Sequence, residues 1–222
     1  MPQVCLTYAS SPHVDTAKAL LAALTPATNI YATPPSIVWP EAGVTASATT
    51  QCSSLFTLVF SRTYGFTETA LKILLGSKMP DAARYYDAAG RPWFPFVQDV
   101  SQLREGDCLL TKVVAPAAGQ PTGHCAWILG APRPAPYPQR AVIPDTDQWL
   151  VDVFDSSAEG HGALDPRASV GGIGTGVMRL YCDAAGKIVG YAWSEKTPTV
   201  VLNSGGLGLC IAARLFGLPQ AV

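Results

Sequence analysis

The hydrophobic period changes once along this chain, near residue 105, and that single change limits the architectures open to it. Before it, apolar residues recur at helical spacing, with Leu55, Phe56, Val59 and Phe60 at i, i+1, i+4 and i+5. After it, short apolar runs of strand length alternate with turn residues. Helices first and strands afterwards define an α+β fold, N-terminal helices packed on an antiparallel sheet. There is no internal repeat, so residues 1–222 read as one domain. Its helical part covers about 1–100 and its sheet part about 101–222.

The punctuation supports this division. Asp15 can cap a helix over 16–24, which Thr25-Pro26 closes. Residues 26–48 carry Pro26, Pro34, Pro35 and Pro40 and read as irregular. A second helix starts near Cys52, with Thr49 or Thr50 as N-cap and Gly65 at its end. Further helices are predicted over about 67–75, stopped by Gly76, and about 81–88. Strands are expected over 108–114, 125–129, 149–154, 177–182, 188–193, 199–202 and 209–215. Gly106-Asp107, residues 183–186 and Gly205-Gly206 are the turns, the second of them a hairpin. The glycine run Gly171 to Gly176 lacks the spacing of a dinucleotide loop and reads as a flexible loop near a cleft.

Composition then removes whole classes of function. Apolar residues are 48% of the chain and charged ones 14%, enough for a full core. Fifteen Lys and Arg against sixteen Asp and Glu leave a net charge of −1, so no basic field exists to hold nucleic acid. No apolar run approaches the roughly eighteen residues of a membrane span. Met1 to Tyr8 shows no signal peptide. The six cysteines, at 5, 52, 108, 125, 182 and 210, contain no C-x-x-C pair, which excludes a zinc ribbon and a thioredoxin-type centre. Cys108, Cys125, Cys182 and Cys210 lie in apolar runs and read as core. No two of His13, His124 and His161 share a ligand spacing, so no metal is expected, and no cofactor motif is present.

The chemistry narrows to a few positions. Cys52 sits at a helix start, where the positive end of the helix stabilises a thiolate; a buried structural cysteine is the alternative. Of the possible bases, His13 precedes the first helix and reads as a surface residue. His161, between Gly160 and Gly162, reads as mobile. His124 opens the apolar strand Gly123-His124-Cys125-Ala126-Trp127-Ile128-Leu129, either as a satisfied core histidine or as a base at the strand mouth. If residue 130 pairs with 149, then 124 lies opposite 155. Asp155 is then placed to hold the imidazole, while Asp152 points to the other face. Asp155 as an Asx cap is the alternative. Trp93, within Arg91-Pro92-Trp93-Phe94-Pro95-Phe96, and Trp193 read either as walls of a groove or as packing.

Three segments carry a resemblance: Thr50-Gln51-Cys52-Ser53-Ser54-Leu55-Phe56, then Arg104-Glu105-Gly106-Asp107, then Thr122-Gly123-His124-Cys125-Ala126-Trp127. In this order they resemble the NlpC-type cell-wall cysteine peptidases over about residues 31–157. The chain departs from that family in having Gln-Cys-Ser-Ser where the family has Asp-Cys-Ser-Gly, and in an aspartate as third residue. The resemblance implies a papain-like core and a cysteine hydrolase with Cys52 as nucleophile, His124 as base and Asp155 as orienting group. It also implies a peptide or peptidoglycan-fragment substrate, which Tyr31 helps to line, and a location outside the cytoplasm; Ser53, Trp93, His161 and Trp193 are the further candidates for substrate binding. Acyl transfer or deamidation on the same three residues, or a binding module without catalysis, are the alternatives.

Overall fold

Proline sets where the first helix begins. A computed structural model describes residues 11–136, 143–162, 165–167, 170–203 and 209–215. Cys5, the segment Met1 to Tyr8 and the Gly205-Gly206 turn lie outside them. Helix α1 (Pro12–Ala23) starts with Pro12 at its first position behind Ser11, four residues before the expected start. A proline there loses nothing, because the first-turn N–H has no intrahelical partner. In helix α2 (Cys52–Tyr64), Ser54 Oγ accepts from Gln51 N–H at 2.8 Å and donates to the Gln51 carbonyl at 3.0 Å. Gln51 is therefore the N-cap in place of Thr49 or Thr50. Thr67 and Asp81 cap α3 (Glu68–Leu75) and α4 (Ala82–Ala88) through their side chains. Gly65 and Gly76, at φ 71° and 72°, end α2 and α3 as expected.

The segment expected to be irregular holds a small sheet. Strand β1 (Asn29–Tyr31) runs parallel to β3 (Ser47–Thr50), and β2 (Ser36–Val38) antiparallel to it. Strands of three or four residues show too little alternation to stand out among prolines. Their consequence is positional, since Tyr31 lies beside Thr50, two residues before Cys52.

Among the described residues the large sheet has nine strands, all paired antiparallel. They are β4 (Phe96–Val97), β5 (Cys108–Lys112), β6 (Gly123–Ile128), β7 (Arg133–Pro134), β8 (Asp147–Ser157), β9 (Gly172–Cys182), β10 (Ile188–Ala192), β11 (Val201–Leu202) and β12 (Leu209–Ala213). Their spatial order is β11-β10-β9-β8-β6-β5-β12-β4, with β7 alongside β8. The 183–186 turn joins β9 to β10 as expected, Asp183 Oδ1 accepting from the N–H of Ala185 and Lys187. The Asn203 amide donates to the carbonyls of both Ile188 and Cys210, so the sheet curls and its far parts approach each other.

Two differences from expectation bear on the site. The glycine run is no loop, because β9 begins at Gly172 and takes it in. Strand β8 pairs with β6 two residues out of the expected register, Trp127 lying opposite Phe154 and not Asp152. An offset of two preserves the face on which each side chain lies. Asp155 therefore keeps the side of the sheet that His124 uses.

Two apolar layers hold these elements. On the helix side, Phe56 stacks on Trp127 with ring centres 4.1 Å apart, and Leu20, Phe60, Tyr85 and Phe154 fill in around them. On the other face, Val151, Val153, Met178, Leu180 and Ala212 pack within the curl. Cys108, Cys125, Cys182 and Cys210 are all buried in these layers, as their apolar runs implied. His13 is a correction: it is 4% exposed and belongs to the interior. Its Nε2–H donates to the Gly106 carbonyl at 3.0 Å and its Nδ1 accepts from the Tyr64 hydroxyl at 2.7 Å. Helix periodicity beginning at Pro12 turns it inward.

Candidate active site

Local geometry delivers Cys52 to the sheet. Strand β3 ends at Thr50, whose hydroxyl donates to Ser156 Oγ at 3.0 Å while Ser156 Oγ donates back to the Thr50 carbonyl at 3.1 Å. These bonds fix the chain to β8 immediately before α2 starts. Cys52 is the first residue of α2, 7% exposed, and its backbone N–H is one of the amides a helix start leaves unpaired. His124 is the second residue of β6. Gly123 before it allows β5 and β6 to approach closely, since a Cβ there would stand 2.0 Å from the Thr111 carbonyl oxygen.

The three residues expected to act together do meet. His124 Nε2 lies 2.5 Å from Asp155 Oδ2, and the same ring hydrogen-bonds Cys52. With Nε2 committed to the carboxylate, Nδ1 is the nitrogen left for the sulfur. The Cys52 thiol is held well below its ordinary value, first by a hydrogen bond from the Cys125 thiol and, against the cost of burial, by His124. Burial works against a charged His124, but the Cys52 and Asp155 charges overcome it and raise the ring to about 10. Burial likewise opposes a charged Asp155, and His124 and His161 hold it well below the usual carboxylate range. The resting form defined by these directions is a thiolate–imidazolium pair.

Behind Asp155 stands a layer that local sequence reading missed. Asp155 is fully buried. Its Oδ2 also meets His161 Nε2 at 2.8 Å, and its Oδ1 accepts from Arg167 at 2.6 Å. Arg167 is forked onto Asp165 by bonds of 3.0 and 2.8 Å. His161, expected to be mobile, is thus 5% exposed and held at both ring nitrogens, Nδ1 donating to the Trp193 carbonyl at 2.7 Å. The signal for this layer was present in β9. Alternate residues Gly172, Gly174 and Gly176 leave one strand face bare, as happens where another layer must approach. A Cβ at Gly174 would stand 2.6 Å from Arg167 Cδ, and one at Gly176 would stand 2.5 Å from His161 Cβ.

The remaining candidates divide. Trp193 packs edge-on against His124, ring centres 4.7 Å apart, and lies 4.3 Å from His161. Tyr31 is half-buried beside the site; burial, then the charges of Cys52 and Asp155, push its phenol up to about 12. Ser53 is half-buried on the first turn of α2, and its carbonyl accepts from Thr57. Trp93 is not brought to the site. It stacks on Phe94 next to β4, three strands away from β6.

Spacing alone suggested no metal ligands, yet the fold collects His124, Asp155 and His161 with ligand atoms within 4.8 Å of one another. Two imidazoles and a carboxylate suit a divalent transition metal. Here the two Nε2 atoms stand at hydrogen-bond distance from one oxygen, and the Arg167 guanidinium already neutralises the other. An ion would have to replace both protons beside that fixed cation. The donor set therefore fits a proton-linked cluster better than a metal centre.

The fold is α+β, as the period change implied. No family profile matches the chain and no solved structure matches it. Among curated proteins, an uncharacterized protein of Acanthamoeba polyphaga mimivirus, R653, is 27% identical over 159 residues. That match covers 65% of this chain and 68% of the viral one.

Proposed function

We propose that the chain is a cysteine hydrolase that cleaves an amide bond, with peptidoglycan stem peptides as its substrate class. The observation that carries this reading is the Cys52–His124–Asp155 constellation, a helix-start thiolate paired with an imidazole that a buried carboxylate orients. The resemblance to NlpC-type peptidases supports the substrate class.

Cys52 thiolate attacks the carbonyl carbon, forming a C–S bond and placing negative charge on the oxygen. The Cys52 N–H at the start of α2 receives that oxyanion. His124 imidazolium gives its proton to the departing amine as the C–N bond breaks. In the second half-reaction His124 takes a proton from water, whose oxygen attacks the thioester. The carboxylic acid leaves, and the thiolate–imidazolium pair is restored. Asp155 stays ionised throughout and holds the ring. Trp193 and Tyr31 flank the reacting sulfur and ring as walls for the substrate.

Purified muropeptides incubated with the chain and weighed by mass spectrometry test the proposal. New amine and acid termini from the wild type, absent with Cys52→Ala, are expected. Rapid alkylation of Cys52 with every muropeptide intact would remove the substrate class. An aminated or transferred product would instead favour acyl transfer on the same residues. A Cys52 that iodoacetamide labels only as an ordinary thiol would end the hydrolase reading.

A further inference from the structure

The reaction above uses three residues, but the buried cluster has six. His161, Asp165 and Arg167 are the three without a part in that reaction, and the surroundings of His161 specify its state. Nδ1 faces the Trp193 carbonyl at 2.7 Å, and Nε2 faces Asp155 Oδ2 at 2.8 Å. Both partners are acceptors, so each bond needs a proton on the ring. The charge balance agrees. Cys52, Asp155 and Asp165 supply three negative charges, while His124 and Arg167 supply two positive ones. A neutral His161 leaves the buried group at −1, and a protonated one brings it to zero. Buried charge is tolerated where it is compensated and hydrogen-bonded.

We infer that His161 is a positioning residue that, as an imidazolium, shares Asp155 Oδ2 with His124 and so tunes the Cys52–His124 pair. The inference rests on the proposed hydrolase site for its significance. Arg167, locked by Asp165, holds Oδ1 and prevents the carboxylate from turning, so Oδ2 remains between the two imidazoles. The backbone N–H of His161 donates to Asp165 at 2.8 Å, which ties the ring to the same anchor. A cation at this place favours the Cys52 thiolate and disfavours a proton on His124. It therefore moves both ionisations of the pair to lower pH.

The sign separates this role from a merely structural one. Loss of the His161 charge should move both inflections of Cys52 reactivity upward. Simple loosening of Asp155 would move them toward each other, because both thiolate and imidazolium would lose support. Iodoacetamide alkylation of Cys52 between pH 4 and 11, in the full chain and in His161→Gln, reads this without any substrate. Both inflections are expected about half to one pH unit higher in the variant. Coincident profiles, or inflections that converge, would overturn the inference. Because His161→Gln can fail to fold, ¹⁵N-histidine NMR of the wild type at pH 7 supplies a second reading. Two protonated nitrogens on His161 support the inference, and a single proton at Nδ1 overturns it. A wild-type Cys52 that alkylates as an ordinary thiol would sink the hydrolase reading separately, while the His161 spectrum still decides its own state.

Discussion

Gly176 lies directly beneath His161: a methyl group on its Cα would stand 2.5 Å from His161 Cβ and 2.9 Å from Asp165 Oδ2. The bare face of β9 is thus the floor on which the second histidine, Asp165 and Arg167 rest. Gly174 plays the same part under Arg167, and it lies opposite Asp155 in the β8–β9 register.

Gly176→Ala should therefore push His161 and Asp165 away from the sheet while leaving β9 itself extended. Overpacking of this kind costs about 1–3 kcal/mol. The expected result is a lower urea midpoint together with slower alkylation of Cys52, since Asp155 loses its support. Gly130→Ala, at a position with open space around it, is the control and should change neither.

Cys52→Ala should abolish turnover and leave the fold intact, because alanine suits a helix start packed on its neighbours. Asp155→Asn should lower kcat by about 10²- to 10⁴-fold, since the residue orients and does not react. Steady-state kinetics on a cleaved muropeptide, with circular dichroism to check folding, measures both. Equal, complete loss in the two variants with native spectra would place Asp155 among the reacting groups.

How far the site could be read from the sequence depended on whether its parts were local. The Cys52 helix start and the His124 strand mouth each show in a few adjacent residues. Asp155 followed from strand order, and the two-residue error in register did no harm because strand faces repeat every two residues. His161, Asp165 and Arg167 lie in a segment without regular pattern, so their convergence is a product of tertiary packing. Only the alternating glycines of β9 announced it, and they read as a loop because glycine also marks turns. His13 misled for a related reason. A helix beginning at a proline extends its inward face further back than the apolar pattern shows.

Turnover should follow a bell in pH. The acid limb reports formation of the Cys52 thiolate and should lie well below the ordinary thiol value of 9.0. The alkaline limb reports loss of the imidazolium proton and should approach about 10, far above 6.5. These are the two steps of a coupled pair, so they belong to the pair jointly. A kcat/KM profile that rises only near pH 9 and does not fall before pH 11 would contradict the thiolate–imidazolium ground state.

Cys125 should matter without reacting. Burial and the Cys52 hydrogen bond push its thiol well above the ordinary range, so it stays protonated and donates to Cys52. Cys125→Ala removes the largest influence holding the Cys52 thiol down. The acid limb of Cys52 alkylation should move upward by about one pH unit. The alanine also leaves a small cavity, so a modest loss of stability should accompany the shift. An unchanged acid limb would mean that His124 and the helix start alone hold the thiolate.

His13 makes a prediction about stability and not about catalysis. Burial lowers its pKa to about 4 from 6.5, outweighing the Gly106 carbonyl and the charges of Asp15 and Glu105, which favour the protonated ring. The unfolded chain therefore binds a proton between pH 6.5 and 4 that the folded chain refuses. Stability from this group is fully present above pH 6.5 and is lost as pH falls toward 4. The loss is on the order of 3 kcal/mol across that window. Glutamine at position 13 can donate and accept as the neutral ring does, but cannot take the proton. Urea unfolding of wild type and His13→Gln at pH 7, 6, 5 and 4 should show the two curves diverging as pH falls, the wild type losing more. Parallel curves would mean that the folded protein admits the imidazolium, and the burial of His13 would then not be what makes the chain sensitive to acid.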